Sequence, residues 1–132
     1  METIEVSSSA HDQFVDITAQ VQAVVKKSGV KSGVVTVFSA HTTAGLTINE
    51  NADPDVTADI LAGLESMVPW NAAWRHAEGN SAAHIKASMM GFSQTVFIEG
   101  GRLVLGTWQA IYLCEFDGPR TRKVHARVIA GT

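Results

Sequence analysis

The fold is decided by one stretch of the chain, VVTVFSAHTTAGLTINE, which spans residues 34–50. Its first five residues are β-branched or aromatic and nearly all apolar, which predicts a central strand buried on both faces. Its last five residues, Leu46 to Glu50, predict a second strand. The polar segment His41-Thr42-Thr43 therefore follows a buried strand and leads into the next one.

Short elements bounded by turn residues precede and follow this stretch. On the N-terminal side, strands at Ile4–Ser7 and Gln13–Asp16 lead into a helix from Ile17 to Ser28, and Gly29 is placed to terminate that helix. On the C-terminal side, Asp53-Pro54-Asp55 starts a second helix, because the first aspartate is a good N-cap and proline is favoured in the first helical position.

The rest of the chain contains one irregular segment, one short helix and four strands. Residues 70–80 show no clear periodicity, and a helix from about Ala82 to Met90 follows them. The strands cover residues 95–98, 103–105, 107–116 and 121–129, with turns at Gly100-Gly101 and Asp117-Gly118-Pro119. We therefore predict an α+β fold, an antiparallel-rich β-sheet system with two or three helices, in a single domain over residues 1–132.

The composition fits one folded domain of 132 residues, of which 45% are hydrophobic and 17% charged. Ten Lys and Arg against 13 Asp and Glu give a formal charge of −3, which argues against a general nucleic-acid binder and a polybasic membrane-surface protein. The sequence shows no secretory signal and no membrane-spanning run, so we expect a cytosolic protein. The lone cysteine, Cys114, argues against an internal disulfide and a cysteine-rich zinc site.

Two polar clusters belong to the deciding stretch or follow it directly. His41-Thr42-Thr43 offers an imidazole and two hydroxyls on a loop that leaves a buried strand, and it fits equally a turn held by threonine side chains. Glu50 ends the second strand on the face of Leu46, so its carboxylate needs a partner or a function. The two aspartates that follow are better explained by the helix start.

A third polar cluster occupies residues 76–84. Extended backbone would place His76, Glu78 and Asn80 on one side, and His84 follows on the helix. Two imidazoles with a carboxylate between them suit a borderline divalent metal ion or an acid–base pair. A capped helix start with surface histidines explains the same residues without any ligand.

The fourth cluster comprises Thr107-Trp108-Gln109 together with Arg120 and Arg122. Both arginines share the parity of the apolar residues in the following strand, so they extend a core-facing row and need an anionic partner. A ligand phosphate suits their planar guanidinium groups. The alternative is a buried ion pair, for instance with Glu115 or Glu99.

At these four clusters the sequence resembles the YjbQ-like family. The motifs that carry the resemblance are HTTAGLTINENADPDV (residues 41–56), HAEGNSAAHIK (76–86), LGTWQAI (105–111) and EFDGPRTR (115–122). Their common order makes the resemblance specific, and it covers nearly the whole chain. One departure is Ala110, where the family's Trp-Gln-Gly pattern has glycine.

The resemblance implies a compact α+β domain that assembles as a homotrimer. The family is commonly labelled secondary thiamine-phosphate synthase, a reaction that joins a pyrimidine-methyl diphosphate to a thiazole phosphate and releases diphosphate. Departure of diphosphate requires charge stabilisation on the leaving oxygens, usually by a divalent metal ion and by Arg or Lys.

The resemblance also implies a role for each site residue. The metal ligands would be three histidines, His41, His76 and His84, and three imidazoles favour zinc or another transition metal over magnesium. The catalytic residues would be Glu78, Glu50 and Gln109, with the two glutamates as additional metal ligands or as groups that orient the ligands, and Gln109 as a hydrogen-bonding group. The substrate-binding residues would be Thr42, Thr43, Asn80, Lys86, Arg120 and Arg122.

Two classes of function follow from these expectations. The first is a metal-dependent enzyme that acts on a small phosphorylated metabolite, with thiamine-phosphate synthesis as a named and secondary activity. The alternative is a non-catalytic trimeric protein that binds a metal ion or a small anion. Because strand 107–116 is apolar on both faces, a neighbouring subunit could cover one sheet face, and only the resemblance selects three subunits.

Overall fold

Eight strands and three helices are present in the computed structural model, which describes residues 1–131. The strands are β1 (Glu2–Ser7), β2 (Gln13–Asp16), β3 (Ser32–Ser39), β4 (Ala44–Glu50), β5 (Ser93–Glu99), β6 (Arg102–Leu103), β7 (Gln109–Glu115) and β8 (Thr121–Ala130). The helices are α1 (Thr18–Ser28), α2 (Pro54–Met67) and α3 (Ser81–Met90). Every predicted element is therefore found, although β6 is shorter than expected.

The strands form two antiparallel sheets. The five-stranded sheet has the order β1-β8-β3-β5-β6, and we call it the outer sheet; the three-stranded inner sheet has the order β2-β7-β4. The predicted two-residue turn joins β5 to β6, since Glu99 pairs with Arg102 across Gly100-Gly101. The predicted α+β class with antiparallel sheets is confirmed.

The larger core lies between the two sheets and is closed by α1. Val35 and Val37 of β3 face Leu46 of β4 and Leu113 of β7 across this core, and all four are fully buried. The predicted apolar stripe of α1 packs there through Val21 and its neighbours. The helix ends at Gly29, whose φ of 73° gives the left-handed cap that the sequence predicted.

A second core lies between the other face of the inner sheet and the helices α2 and α3. Tyr112, Cys114 and Phe116 meet Leu64 of α2 and Ala87 of α3 in this layer. β7 is therefore buried on both faces, as its two apolar rows predicted. Helices of the same chain cover its second face, so this strand gives no reason to expect a neighbouring subunit.

The uncovered surface belongs instead to the outer sheet. The prediction that β3 is buried on both faces is wrong within one chain, because Val35 and Val37 are buried while Phe38 is 46% exposed. On the same side, Phe97 is 69% and Ile129 is 54% exposed. All three helices contribute to the cores on the opposite side of this sheet, which leaves these side chains without cover from residues 1–131. We call this surface the outer face.

The start of α2 confirms its predicted cap, since the Oδ1 atom of Asp53 accepts the N–H of Asp55 at 2.9 Å. Between α2 and α3, residues 68–80 contain no helix or strand, as the lack of periodicity predicted. None of the helices within residues 1–131 combines the length and apolar character needed to cross a membrane.

Candidate functional site

A cavity of about 510 Å³ lies where three connecting segments meet. These segments are the β3–β4 connection, the chain that leads into α3, and the β7–β8 turn. The cavity, which we call the His–Arg pocket, collects nine of the twelve predicted site residues: His41, Thr42, Thr43, His76, Glu78, Asn80, His84, Arg120 and Arg122.

Two imidazoles of this pocket have the spacing of ligands to one metal ion. The ring centroids of His76 and His84 are 5.5 Å apart, with the ring planes at 89°. Two histidines that bind a tetrahedral zinc ion at about 2.0–2.1 Å place their ring centroids about 5 Å apart. Oε2 of Glu78 lies 3.8 Å from Nε2 of His76, so a carboxylate adjoins the pair.

The third predicted ligand, His41, is held by the main chain instead. Its Nε2 atom accepts the N–H of Lys123 at 2.9 Å, which uses the one lone pair that a neutral imidazole offers. Burial and the charges of Arg122 and Arg120 lower the pKa of His41, which favours that neutral form. Within residues 1–131, no group of three or more His, Cys, Asp or Glu side chains is placed to hold a metal ion.

The other end of the pocket is built on a buried ion pair. Arg122 and Glu115 are 3% and 0% exposed, and Nε and Nη2 of the arginine both bond the carboxylate. Nη2 also donates to Oγ1 of Thr43 at 2.8 Å. Burial alone would raise the pKa of Glu115, but hydrogen bonds from Arg122, Ser8 and the Asp117 N–H lower it.

The two arginines therefore differ from each other in their environment. For Arg122 the ion-pair alternative is found, with Glu115 and not Glu99 as partner. Within residues 1–131, Nη1 of Arg122 donates no hydrogen bond, so that nitrogen is free to donate to a ligand in the cavity. The core-facing prediction is wrong for Arg120, which precedes β8 in the turn, is 49% exposed and pairs with Asp117 at 3.2 Å.

Asp117 also lines the pocket, although its sequence context predicts only a turn. Its Oδ2 atom accepts a hydrogen bond from Nδ2 of Asn80 at 2.9 Å and pairs with Arg120. Its position depends on Gly118, because a Cβ atom there would lie 2.4 Å from the carbonyl oxygen of Ala10. The glycine lets the β7–β8 turn pack against the β1–β2 connection. The sequence signal that could have identified Asp117 as a pocket residue is its place in the EFDGPRTR motif, beside Arg120 and Arg122.

Lys86 does not reach the pocket, contrary to its predicted phosphate contact. Its side chain is 1% exposed, and Nζ lies 2.6 Å from Oε1 of Glu65 and 3.4 Å from Oδ2 of Asp12. The hydrogen bond from Lys86 lowers the pKa of Glu65. Two carboxylates therefore satisfy the buried ammonium group, which leaves it no contact with the His–Arg pocket.

Glu50 and Gln109 are not brought to the pocket either. They pair with each other at one end of the β4–β7 ladder, and Ala44 pairs with Glu115 at the other end. Because six residues of strand span about 20 Å, Glu50 and Gln109 lie about that far from Glu115. Oε1 of Gln109 accepts the N–H of Gly106 at 2.8 Å, which stabilises the turn before β7. Their predicted catalytic role in this pocket is therefore not supported within one chain.

Comparison with known proteins identifies the family. The family described as UPF0047 protein YjbQ-like matches residues 2–131. The chain belongs to the YjbQ-like family. Its relative YugU, a UPF0047 protein of Bacillus subtilis, is 48% identical over 130 residues, which cover 98% of both chains. A UPF0047 protein of Methanocaldococcus jannaschii is 46% identical over 125 residues, which cover 95% of this chain and 91% of its own.

Solved structures of YjbQ-like proteins match the whole fold. An uncharacterised conserved protein of this family from Clostridium acetobutylicum is 56% identical, with a TM-score of 0.96 over 98% of this chain and 100% of its own. A protein of unknown function from Sulfolobus solfataricus is 35% identical, with a TM-score of 0.94 over 98% of this chain and 96% of its own. The names of these four relatives state no reaction.

The buried ion pair predicts a large effect on stability. Arg122→Met should lower the free energy of unfolding by about 3–5 kcal/mol, because it leaves the Glu115 carboxylate buried and unpaired. Adding Glu115→Gln should recover part of that loss. Urea denaturation measures both values, and Arg75→Met, at an exposed loop position, is the control. A loss below about 1 kcal/mol for Arg122→Met would show that the pair contributes little.

Proposed function

We propose that the chain is a cytosolic, metal-dependent enzyme that acts on a small phosphorylated metabolite in the His–Arg pocket. One observation carries the proposal: a single cavity contains the facing imidazoles of His76 and His84 and also the guanidinium groups of Arg120 and Arg122. Imidazoles are ligands for transition metals, and guanidinium groups bind phosphate oxygens. The cavity thus combines the two groups that phosphate displacement requires.

The histidine half of the pocket supports a metal site on its donor chemistry. His76 and His84 would hold the ion, with Glu78 as a further donor or as the group that orients His76. Imidazole donors favour zinc or another transition metal over magnesium. When bound, such an ion would neutralise charge on the oxygens of a leaving phosphate. His41 could join these ligands only by giving up the N–H of Lys123.

The arginine half would bind and orient the phosphorylated end of the ligand. Nη1 of Arg122 and the half-exposed Arg120 supply positive charge, and Thr42 also lines the cavity. Thr43 acts on Arg122 by fixing the direction of Nη2. Asn80 lines the same cavity and is oriented by the hydrogen bond that its Nδ2 atom donates to Asp117. Thiamine-phosphate synthesis, which releases diphosphate, belongs to the class of reaction that this pocket would serve.

The metal site can be tested by elemental analysis of protein purified without an affinity tag. The wild type should retain zinc, and His76→Ala and His84→Ala should each lose most of it, because each removes one of two facing donors. His125→Ala, on the outer sheet, should keep the wild-type content. Equal metal in His76→Ala and the wild type, or none in a wild type purified with zinc, contradicts the site.

Ligand binding should be visible in the titration of His41. The charges of Arg122 and Arg120 help to lower its pKa in the free pocket. A bound phosphate or diphosphate would offset those charges and raise the pKa of His41, so the imidazole would stay protonated to higher pH. NMR of the histidine ring protons measures this shift, with His125 as an internal control. A pKa of His41 that does not move at saturating diphosphate contradicts anion binding here.

Turnover separates the enzyme from the non-catalytic alternative. With a pyrimidine-methyl diphosphate and a thiazole phosphate as substrates, the wild type should release diphosphate. We expect Glu78→Gln to remain folded and to lose at least about tenfold in kcat, because its charge adjoins the proposed metal ligands. Glu99→Gln, outside the pocket, is the matched control. Binding without product from any tested phosphorylated metabolite would favour a trimeric protein that binds a metal ion or an anion.

The outer face supports the further proposal that the working unit is a homotrimer. Val34 pairs with both Phe97 and Ile129, so apolar side chains lie next to one another across three strands at this part of the outer face. Soluble single domains rarely leave such a surface uncovered, and a second copy is the commonest cover. Lys123, which holds His41 through its N–H, belongs to the outward row of β8, so the pocket would lie near the subunit boundary. The number three rests on the family resemblance.

The homotrimer predicts the mass of the particle in solution. Light scattering on a gel-filtration peak should give about three times 14.1 kDa for the wild type. Phe97→Glu should reduce it to the monomer mass, because the carboxylate would be buried in an apolar interface. Met67→Glu is a matched control, since Met67 is 65% exposed on α2 and lies outside the outer face. A monomeric or dimeric wild type that remains active contradicts the proposal.

A further inference from the structure

A second positively charged cavity lies between the end of α1 and the β5–β6 turn, and it shares no residue with the His–Arg pocket. Its volume is about 390 Å³, and its charged lining residues are Lys26, Lys31 and Arg102. We propose that this cavity, the Lys–Arg notch, is a binding site for a diphosphate group. The inference rests on the notch alone and does not require the proposed function of the other pocket.

The local fold explains how the lysines come to face the β5–β6 turn. α1 ends at Ser28 with Gly29 as its cap, and Lys31, the residue before β3, lies beside Gly101. The carbonyl oxygen of Lys31 accepts the N–H of Gly101 at 3.0 Å. Its side chain lies over the same glycine, because a Cβ atom on Gly101 would be 3.4 Å from the Lys31 Nζ. The absence of a side chain there leaves room for the ammonium group in the notch.

The side chain of Gln22 makes the two walls of the notch one rigid unit. From α1, its Nε2 atom donates to the carbonyl oxygen of Gly101 at 3.1 Å. Its Oε1 atom accepts the N–H of Leu103 at 3.0 Å. Both groups of one amide therefore fasten the helix to the β5–β6 turn. The main chain of both walls is therefore fixed before a ligand arrives, which lowers the entropic cost of binding.

The charge distribution of the notch favours an anion with several charges. No acidic side chain lines it, and none of its three cations forms an ion pair within residues 1–131. By contrast, the neighbouring Lys27 pairs with Glu2 at 2.9 Å. The helix dipole accounts for lysines in the last turn of α1, but it does not account for Lys31 or Arg102. Three positive charges that line one cavity match a diphosphate better than a single carboxylate.

The surface next to the notch indicates that the diphosphate belongs to a larger molecule. A groove of about 690 Å³ shares Gln22 and Arg102 with the notch and continues along Leu103 and Leu105. Both leucines are partly buried and pack against the main core. A ligand with its diphosphate in the notch could lay an apolar or aromatic body on this groove. The ligand class is therefore an organic diphosphate.

Calorimetric titration tests the notch with inorganic diphosphate as the probe. The experiment uses an Arg120→Gln, Arg122→Gln background, so that binding in the His–Arg pocket does not contribute. In that background we expect one site per chain, and Lys31→Gln with Arg102→Gln should weaken it at least tenfold. Lys27→Gln, one residue from Lys26 but paired with Glu2, should leave the affinity within about twofold. If the background fails to fold, the Lys31 and Arg102 changes are made in the wild type, where they should remove one of two sites.

The outcomes decide the proposal independently of any enzymatic activity. Unchanged affinity after the Lys31 and Arg102 substitutions overturns it, as does a folded Arg120→Gln, Arg122→Gln protein that binds no diphosphate. A nucleoside diphosphate serves as a second probe in the same background. Tighter binding than inorganic diphosphate supports a contribution from the leucine groove, and equal binding supports recognition of the diphosphate group alone.

Discussion

The buried pair of Arg122 and Glu115 is the interaction on which the architecture of the pocket depends. Arg122 projects inward from β8 of the outer sheet, and Glu115 ends β7 of the inner sheet, so their bond joins the two sheets where the apolar core stops. The same guanidinium reaches Thr43, at the start of the inner strand β4, and Ser8 donates to the same carboxylate. Removing two charges from water is costly, and well-packed apolar residues could close this end of the core as stably. What the charged pair adds is a fixed guanidinium at the wall of a cavity.

Main-chain groups then place the remaining pocket residues around that pair. The Lys123 N–H orients His41, and the turn at Gly118 carries Asp117 to Asn80 and Arg120. These contacts join segments that are distant in sequence, so the pocket exists only when both sheets are assembled. Its electrostatics follow from the same geometry. Partial burial and the charges of two arginines lower the pKa of His41, whereas the pKa of Glu115 is lowered because its hydrogen bonds outweigh its burial.

The sequence predicted the elements well because periodicity and caps are local properties. For that reason the sequence predicts the two apolar rows of β7 and the helix cap at Asp53. Periodicity does not show which element packs against an apolar face. The pattern therefore predicts an uncovered sheet face at β7, whereas the uncovered face belongs to the outer sheet, which contains β3. The alternation of side chains along β8 predicts that Arg122 points inward. Its ion-pair partner, Glu115 or Glu99, depends on how the strands pair, which the alternation does not show. The positions of Lys86 and Glu50 likewise depended on pairings across the chain that no local pattern contains.

The histidines of the pocket show how binding could be coupled to the outer sheet. His76 and His84 can take a metal ion without losing a hydrogen bond to the protein, whereas His41 must give up the Lys123 N–H to become a third ligand. That N–H belongs to β8, whose outward row forms part of the face that we assign to neighbouring subunits. A metal centre with three histidines would thus leave the Lys123 N–H of the outer sheet without its acceptor, whereas a centre with two histidines would not. If both proposals hold, the number of histidines that bind a metal ion and the conformation of β8 beside the proposed subunit boundary would depend on each other.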